Sequence, residues 1–250
     1  MLTYIWNLVL YKPLLNALAF LVSILPGGDV GLAVIVLTIL VKLVLFPLSQ
    51  KALKNQAAMN MLAPEIEKIK KGGASKEEQA RLTFELYKKH KANPFSGCLV
   101  QIPMIFVIIA LYHVFIKGVD FNNTLLYPFI HAPEHINMLF LNFIDLGKSS
   151  VYLAILAGVS QFFQAYYMPK PKVSPKTDGS TESFSDSFAK SMNMQMKYIF
   201  PIMIFGFALK FSGAVALYWI VSNIFTIGQQ IYVNSTEEKA LDAEIKVLQS

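Results

Sequence analysis

The chain of 250 residues contains a single cysteine, Cys98, so it can form neither a disulfide within itself nor a zinc site built on several cysteines. Charged residues are also scarce, at 15% of the sequence, whereas 54% of the residues are hydrophobic. The mean hydropathy is positive, at +0.47, and these values differ from those of soluble globular domains. The composition therefore predicts an all-α, polytopic membrane protein.

Several targeting and transport signatures are missing as well. The N-terminal segment has neither the basic stretch nor the small-residue cleavage site of a signal peptide, so we expect a chain that is mature from Met1. The sequence shows no internal repeat and no inverted pair of broken helices of the kind typical of many transporters. No Asp or Glu lies within the apolar segments, which disfavours a pump built on a carboxylate relay.

Two short strings imitate catalytic motifs. Residues 131–135 (HAPEH) match a metalloprotease pattern, but that zinc geometry requires a helix, and Pro133 lies inside the string. Residues 147–149 (GKS) resemble the end of a phosphate-binding loop, yet Asn142 stands where the first glycine is required. Since no nucleophile has a plausible intramembrane base beside it, we expect no enzymatic activity, no cofactor and no metal.

What the sequence does contain is an apolar run from Leu32 to Gln50, interrupted once, by Lys42. A bilayer core of about 30 Å needs about 20 apolar residues as helix, so the run can span it, and we expect Pro47 to stop it. Lys42 is roughly 12 Å of helix from Gln50, too far for an easy reach to the interface. A charge there costs about 2.5–3.5 kcal/mol unless it meets water or a partner. We predict a cation that lines a wet intramembrane cavity; the alternative is a lysine that leans toward the head groups.

Residues 2–25 are apolar, but polar residues interrupt them and Pro13 leaves only about 13 residues after it, about 20 Å of helix. We therefore predict an outer amphipathic helix that lies in the membrane interface. The alternative is an additional span.

Residues 51–95 contain ten lysine and arginine residues, which places this segment in the cytoplasm. Apolar residues at helical spacing lie on both sides of Gly72, and Ser75 with Glu78 forms a capping box. The pattern predicts a helical hairpin; the alternative is a solvated charged linker. 

Apolar segments separated by alternately basic and base-poor loops complete the expected organisation, with five core spans. It comprises an interfacial helix and turn (1–29), a first span (30–50), a cytoplasmic hairpin (51–95), a second span (96–116), an outer loop that dips into the interface (117–149), a third span (150–168), a cytoplasmic loop (169–195), fourth and fifth spans (196–211 and 212–233) and a cytoplasmic tail (234–250).

A set of polar and aromatic residues falls at membrane depth in these spans. Any single amide of this kind is commonly only a contact between helices. Together with one cation, the set suggests a hydrated groove. Its members are Lys42, Gln101, Gln161, Gln164, Asn223 and Thr226, with Tyr218 and Trp219.

The sequence resembles the YidC insertase family, whose members place newly made membrane proteins into the bilayer. Four stretches carry the resemblance: LTILVKLVLFPLSQK (37–51), APEIEKIKKG (63–72), YKKHKANPFSGCLVQIPMIFVIIALY (87–112) and ALYWIVSNIFTIGQQIYV (216–233). The resemblance implies an outer amphipathic helix, five core spans, a cytoplasmic hairpin and a groove that is open to cytosol and lipid. It also implies groove positions at Lys42, Gln164 and Trp219.

The chain departs from the family pattern at several places. Lys42 stands where the groove cation is typically arginine, which keeps the charge but loses the guanidinium fork. Phe211-Ser212-Gly213-Ala214 stands where a Phe-Pro-Ala-Gly turn is usual, and we expect neither a large outer domain nor a lipoprotein cysteine before the outer helix. The tail is acidic-leaning, so it lacks the cation cluster of a ribosome-binding arm.

From this resemblance we expect a membrane protein insertase of a prokaryotic plasma membrane, with the N-terminus outside and the C-terminus in the cytoplasm. The implied partners are nascent membrane proteins and the lipid bilayer, with the ribosome and a Sec-type translocon as further candidates and no DNA. Two alternatives remain: a small solute channel or transporter with Lys42 as an anion site, and a structural subunit of a larger complex.

Overall fold

In this computed structural model, the structure describes residues 6–90, 96–116, 121, 126–168, 191 and 194–248. The predicted cytoplasmic loop (169–195) and the junction between hairpin and second span lie largely outside the described residues.

Helices make up most of the described chain. The first is preceded by a π-helical turn, Asn7–Tyr11, and a second such turn, Gln195–Ile199, precedes the seventh helix. The helices are α1 (Lys12–Ile24), α2 (Val30–Met61), α3 (Ala63–Lys71), α4 (Lys76–Lys89), α5 (Ser96–Ile116), α6 (Val151–Tyr167), α7 (Phe200–Ala208) and α8 (Gly213–Leu248), with two short strands, β1 (Leu139–Phe140) and β2 (Ile144–Asp145), between α5 and α6.

Helix α2 continues through Pro47 to Met61, so the expected stop at Pro47 is wrong. Proline removes one backbone donor, but membrane helices tolerate this where side chains and neighbouring helices bond the backbone nearby. Here the carbonyl of Phe46 accepts hydrogen bonds from Ser49 Oγ at 3.0 Å and from Gln229 Nε2 at 3.4 Å. Pro47 therefore lies in a stretch of α2 that is stabilised by a hydrogen bond from α8.

The expected break at Pro13 is also absent, because the π-helical turn leads directly into α1 and Pro13 occupies its first turn, where a missing N–H costs little. The resulting run, Asn7–Ile24, is long and apolar enough to cross a bilayer. One face of α1 is buried against the other helices, whereas Phe20 and Ile24 on the other face are exposed and apolar. The alternative of an additional span thereby gains support, and the interfacial position stays a prediction.

The basic segment between the first two predicted spans contains α3 and α4. Ser75 caps α4, since its Oγ accepts a hydrogen bond from the backbone N–H of Glu78 at 3.2 Å. The Arg81 guanidinium donates a hydrogen bond to the Glu78 carboxylate at 2.7 Å. This bond and the negative charge of Glu78 raise the pKa of the guanidinium. A cytoplasmic position for these two helices stays a prediction.

Helix α8 continues well beyond the predicted end of the fifth span, through most of the predicted tail (234–250). Lys, Glu and Ala residues there are good helix formers, and no proline interrupts them. The fourth predicted span consists of the second π-helical turn and the short α7.

The strands β1 and β2 form an antiparallel hairpin that the all-α expectation missed. The residues that flank the hairpin bond the first residues of α2 and α8: Val30 N donates to Asn137 O at 3.0 Å, and Gly213 N donates to Lys148 O at 2.7 Å. A Cβ on Gly213 would meet the backbone of Leu146, so glycine permits this close approach.

Helices α1, α2 and α5 to α8 share one hydrophobic core, with α8 packed against both α2 and α6, α7 against α6, and α1 and α5 against α2. Among the described residues, three helical runs are long and apolar enough to span a membrane, Asn7–Ile24, Val30–Leu53 and Gly213–Val233, and two shorter apolar runs accompany them. The count of five core spans stays a prediction. The side chains that α2, α6 and α7 turn outward are apolar, as a lipid-facing surface requires, for example Val44, Ile155 and Ile202.

Candidate functional site

A small, partly open recess lies between α6 and α8. It is lined mainly by polar side chains, although the helices around it are strongly apolar on their outer faces. Polar groups at this depth must bond one another or water. The lining residues are Gln161 and Gln164 on α6, Tyr218, Trp219, Ser222, Asn223 and Thr226 on α8, and Ile108 on α5.

Gln161 is the centre of a hydrogen-bond network on one wall of the recess. Its Oε1 accepts from Trp219 Nε1 at 2.9 Å and from Asn223 Nδ2 at 3.3 Å, and its Nε2 donates to Gln164 Oε1 at 2.6 Å. Asn223 Nδ2 also donates to Ser160 Oγ at 3.0 Å. Gln161 and Asn223 are buried, with 4% and 5% of their surface exposed, whereas Gln164 and Trp219 are partly exposed. The buried amides therefore position the side chains that face the recess.

The helical period explains why these groups meet. Gln161 and Gln164 are three residues apart on α6, and Trp219, Asn223 and Thr226 are four and three residues apart on α8. Residues at these spacings lie on one face of a helix. The polar faces of α6 and α8 are turned toward each other.

Lys42 approaches the recess from α2 and is almost completely buried, with 4% of its surface exposed. Its Nζ donates to Thr226 Oγ1 at 2.8 Å, and Thr226 in turn donates to the carbonyl of Ser222 at 2.8 Å. Thr226 also lines the recess, so the Lys42 ammonium is bonded to a residue of the recess wall. That Lys42 is a cation lining a wet intramembrane cavity stays a prediction.

A second polar contact joins α2 and α8, two turns beyond Lys42 on α2. Gln229 Nε2 donates to Ser49 Oγ at 2.7 Å, and both residues are buried. The next residue, Gln230, is also buried, and its Nε2 has no hydrogen-bond partner among the described residues. Sequence reasoning missed this contact, although Gln229 continues the three-residue spacing from Thr226.

The structure therefore brings together six of the eight polar and aromatic residues predicted at membrane depth: Gln161, Gln164, Tyr218, Trp219, Asn223 and Thr226. Lys42 joins them through Thr226. The side chain of Gln101 lies outside the described residues, and Ser160 and Ser222 belong to the site without having been predicted. Among the described residues, no group of His, Cys, Asp and Glu is placed to hold a metal ion.

These features define a class of protein: a polytopic helical membrane protein with a polar recess and a buried cation among its apolar helices. A family profile described as "60Kd inner membrane protein" matches residues 21–240. The chain belongs to this family.

Named relatives agree with the profile. The chain is 30% identical over 246 residues to the "Membrane protein insertase MisCA" of Bacillus subtilis, covering 94% of this chain and 82% of that protein. It is 32% identical over 238 residues to the "Membrane protein insertase YidC" of Methylobacillus flagellatus, covering 95% of this chain but only 38% of that protein. A third relative, the "Membrane protein insertase YidC" of Vesicomyosocius okutanii, is 33% identical over 229 residues, which is 36% of its length. The apolar helices and these relatives indicate a bacterial membrane protein, and the resemblance stated from the sequence is confirmed.

Proposed function

We propose that this protein is a membrane protein insertase. The observation that carries the proposal is the buried ammonium of Lys42 beside a polar recess that lies among lipid-facing helices. The names of the relatives support it, since those proteins are called membrane protein insertases.

In the proposed mechanism, a short polar or acidic segment of the substrate enters the recess. There its hydrogen bonds to water are replaced by hydrogen bonds to the amides of Gln164 and Asn223 and by the electrostatic attraction of Lys42. Apolar substrate residues then slide between the helices into lipid. Each leucine-like residue gains a few tenths of a kcal/mol in the bilayer, and a whole span gains several, so no covalent step and no cofactor is needed.

The remaining features of the proposal concern topology and partners. Basic residues in 51–95 favour a cytoplasmic position for α3 and α4, with five core spans, the N-terminus outside and the C-terminus inside. The substrates are nascent membrane proteins. A ribosome and a Sec-type translocon are candidate partners that would deliver them to the basic helices.

The test is insertion by the purified protein in vesicles of phosphatidylethanolamine and phosphatidylglycerol. A single-span substrate with an acidic translocated segment should become protected from external protease, while an encapsulated anionic dye stays inside. Dye release without insertion would instead support a solute channel and overturn the proposal. The matched variants are Asn223→Leu, which removes an amide from the recess, and Ile224→Leu, which changes an exposed apolar residue next to it. Only Asn223→Leu should lower insertion.

A further inference from the structure

The hairpin of β1 and β2 ends in a turn with unusual backbone geometry. Its four residues, Phe140 to Phe143, are closed by a hydrogen bond from Phe143 N to Phe140 O at 3.3 Å. Both central residues have positive φ, 52° at Leu141 and 64° at Asn142. Turns of this kind favour Asn and Gly, because a branched side chain is strained at positive φ. A leucine at such a strained position points to a function for its side chain.

The exposed face of this hairpin is apolar. Leu139, Leu141 and Phe143 are 47%, 60% and 70% exposed. Phe140, by contrast, turns inward and packs over Gly31 in the first turn of α2. A hairpin with one face on the protein and the other in water normally places polar residues on the water side. The turn and its flanking residues carry no charge before Asp145, which is itself paired with Lys148 at 3.0 Å.

The height of the hairpin is fixed by the helices that begin beside it. Backbone hydrogen bonds tie its base to Val30 at the start of α2 and to Gly213 and Ala214 at the start of α8. After β2 the chain enters α6, whose first residues, Val151 and Tyr152, are exposed at 57% and 75%. The apolar turn is therefore held at the level where α2, α6 and α8 begin.

We infer that the turn of this hairpin inserts Leu141 and Phe143 into the lipid leaflet at the ends of α2, α6 and α8, as a fixed interfacial anchor. The occupant of the exposed apolar face is the bilayer itself, because the turn lies at the same end of the helices as the exposed apolar start of α6, and Leu139, Leu141 and Phe143 present no charged group that a polar partner would need. The inference rests on the chain crossing a membrane and is independent of the proposed insertase activity.

The test uses a fluorescent NBD label on single cysteines in a Cys98→Ser background, with the full chain in phosphatidylethanolamine and phosphatidylglycerol vesicles. The two label sites are Leu141→Cys and Glu134→Cys, an exposed charged position in the same loop. We expect the label at position 141 to emit at shorter wavelength and to be quenched several-fold more by nitroxide lipids than by iodide, and the label at position 134 to show the opposite. Quenching of position 141 by iodide overturns the inference. Protection from both quenchers, which would mean that a protein covers the turn, overturns it too.

A matched pair of glycine variants tests whether the Leu141 side chain sets the depth. Leu141→Gly and Asn142→Gly both relieve a positive φ, so both should keep the fold, but only the first removes an apolar side chain. With the label on Phe143→Cys, we expect Leu141→Gly to shift quenching from the lipid nitroxide toward iodide, and Asn142→Gly to leave it unchanged. Equal behaviour of the two variants would overturn the role of Leu141.

Discussion

Replacing Lys42 with methionine would remove the charge at the edge of the recess while keeping the volume of the side chain. The ammonium is almost fully buried and donates to Thr226 Oγ1 at 2.8 Å. Loss of a buried charge is commonly neutral or stabilising when an apolar side chain of similar size replaces it. We therefore expect Lys42→Met to fold at least as well as the parent, as thermal unfolding in detergent would measure.

The cost should appear in activity toward acidic substrates. A substrate carboxylate about 4 Å from the ammonium is stabilised by about 1 kcal/mol if water fills the recess and by about 4 kcal/mol at an effective dielectric of 20. Since about 1.4 kcal/mol corresponds to a factor of ten, insertion of an acidic segment should fall by about fivefold at the least. Lys42→Arg keeps the charge and should stay active, whereas Lys42→Glu reverses the interaction and should be worse than Lys42→Met.

The assay pairs each variant with single-span substrates that carry acidic, neutral or basic translocated segments, and measures protease-protected product in vesicles. The neutral substrate is the control for general damage to the protein. If Lys42→Met inserts the acidic substrate as well as the parent does, the charge has no part in substrate entry, and the reasoning from burial and Coulomb attraction is refuted.

Three further outcomes are expected. Deleting residues 54–89, which contain α3 and α4, should leave an inserted protein that has lost activity, as membrane extraction and the insertion assay would measure; full activity would remove these helices from the mechanism. Truncation after Asn234 should leave ribosome co-sedimentation nearly unchanged, because the residues beyond it form no cation cluster, and a large drop would show the tail to be the contact. The hydrogen bond from Lys148 lowers the pKa of the Asp145 carboxyl, so the stability that this pair contributes is present above the ordinary carboxyl pKa and is lost as the pH falls through the lowered one. Thermal unfolding of Lys148→Met should accordingly show a smaller loss of stability on acidification than the parent, and an identical pH profile would contradict this.

Much of the site could be predicted from the sequence because polar residues are so rare in its apolar segments. Gln161 and Gln164 stand out on α6 as Trp219 and Asn223 do on α8, and helical spacing places each pair on one face. Their exact bonding could not be predicted, since it depends on how two distant helices are rotated against each other. The role of Gln161 as the centre of the network is a result of that packing.

The errors in the fold have a common physical origin: local rules were overridden by contacts with distant residues. Pro47 and Pro13 are strong helix breakers in isolation, yet both lie inside continuous helical runs. The hairpin around Leu141 lacks the Asn-Gly signal of its turn type, so no short-range pattern indicated it. In each case the decisive partners are far away in sequence, such as Gln229 near Pro47.

Helix α8 makes polar contacts with two different helices. Through Trp219 and Asn223 it bonds α6, and through Thr226 and Gln229 it bonds α2. Polar contacts between membrane helices contribute on average about 0.6 kcal/mol and at most about 1.7 kcal/mol each. The two polar contacts between α2 and α8 therefore contribute about 1–3 kcal/mol to their association. The apolar packing of the same two helices in the shared core adds to this, so the polar contacts fix how α8 is rotated against α2 rather than supplying the whole attraction between them.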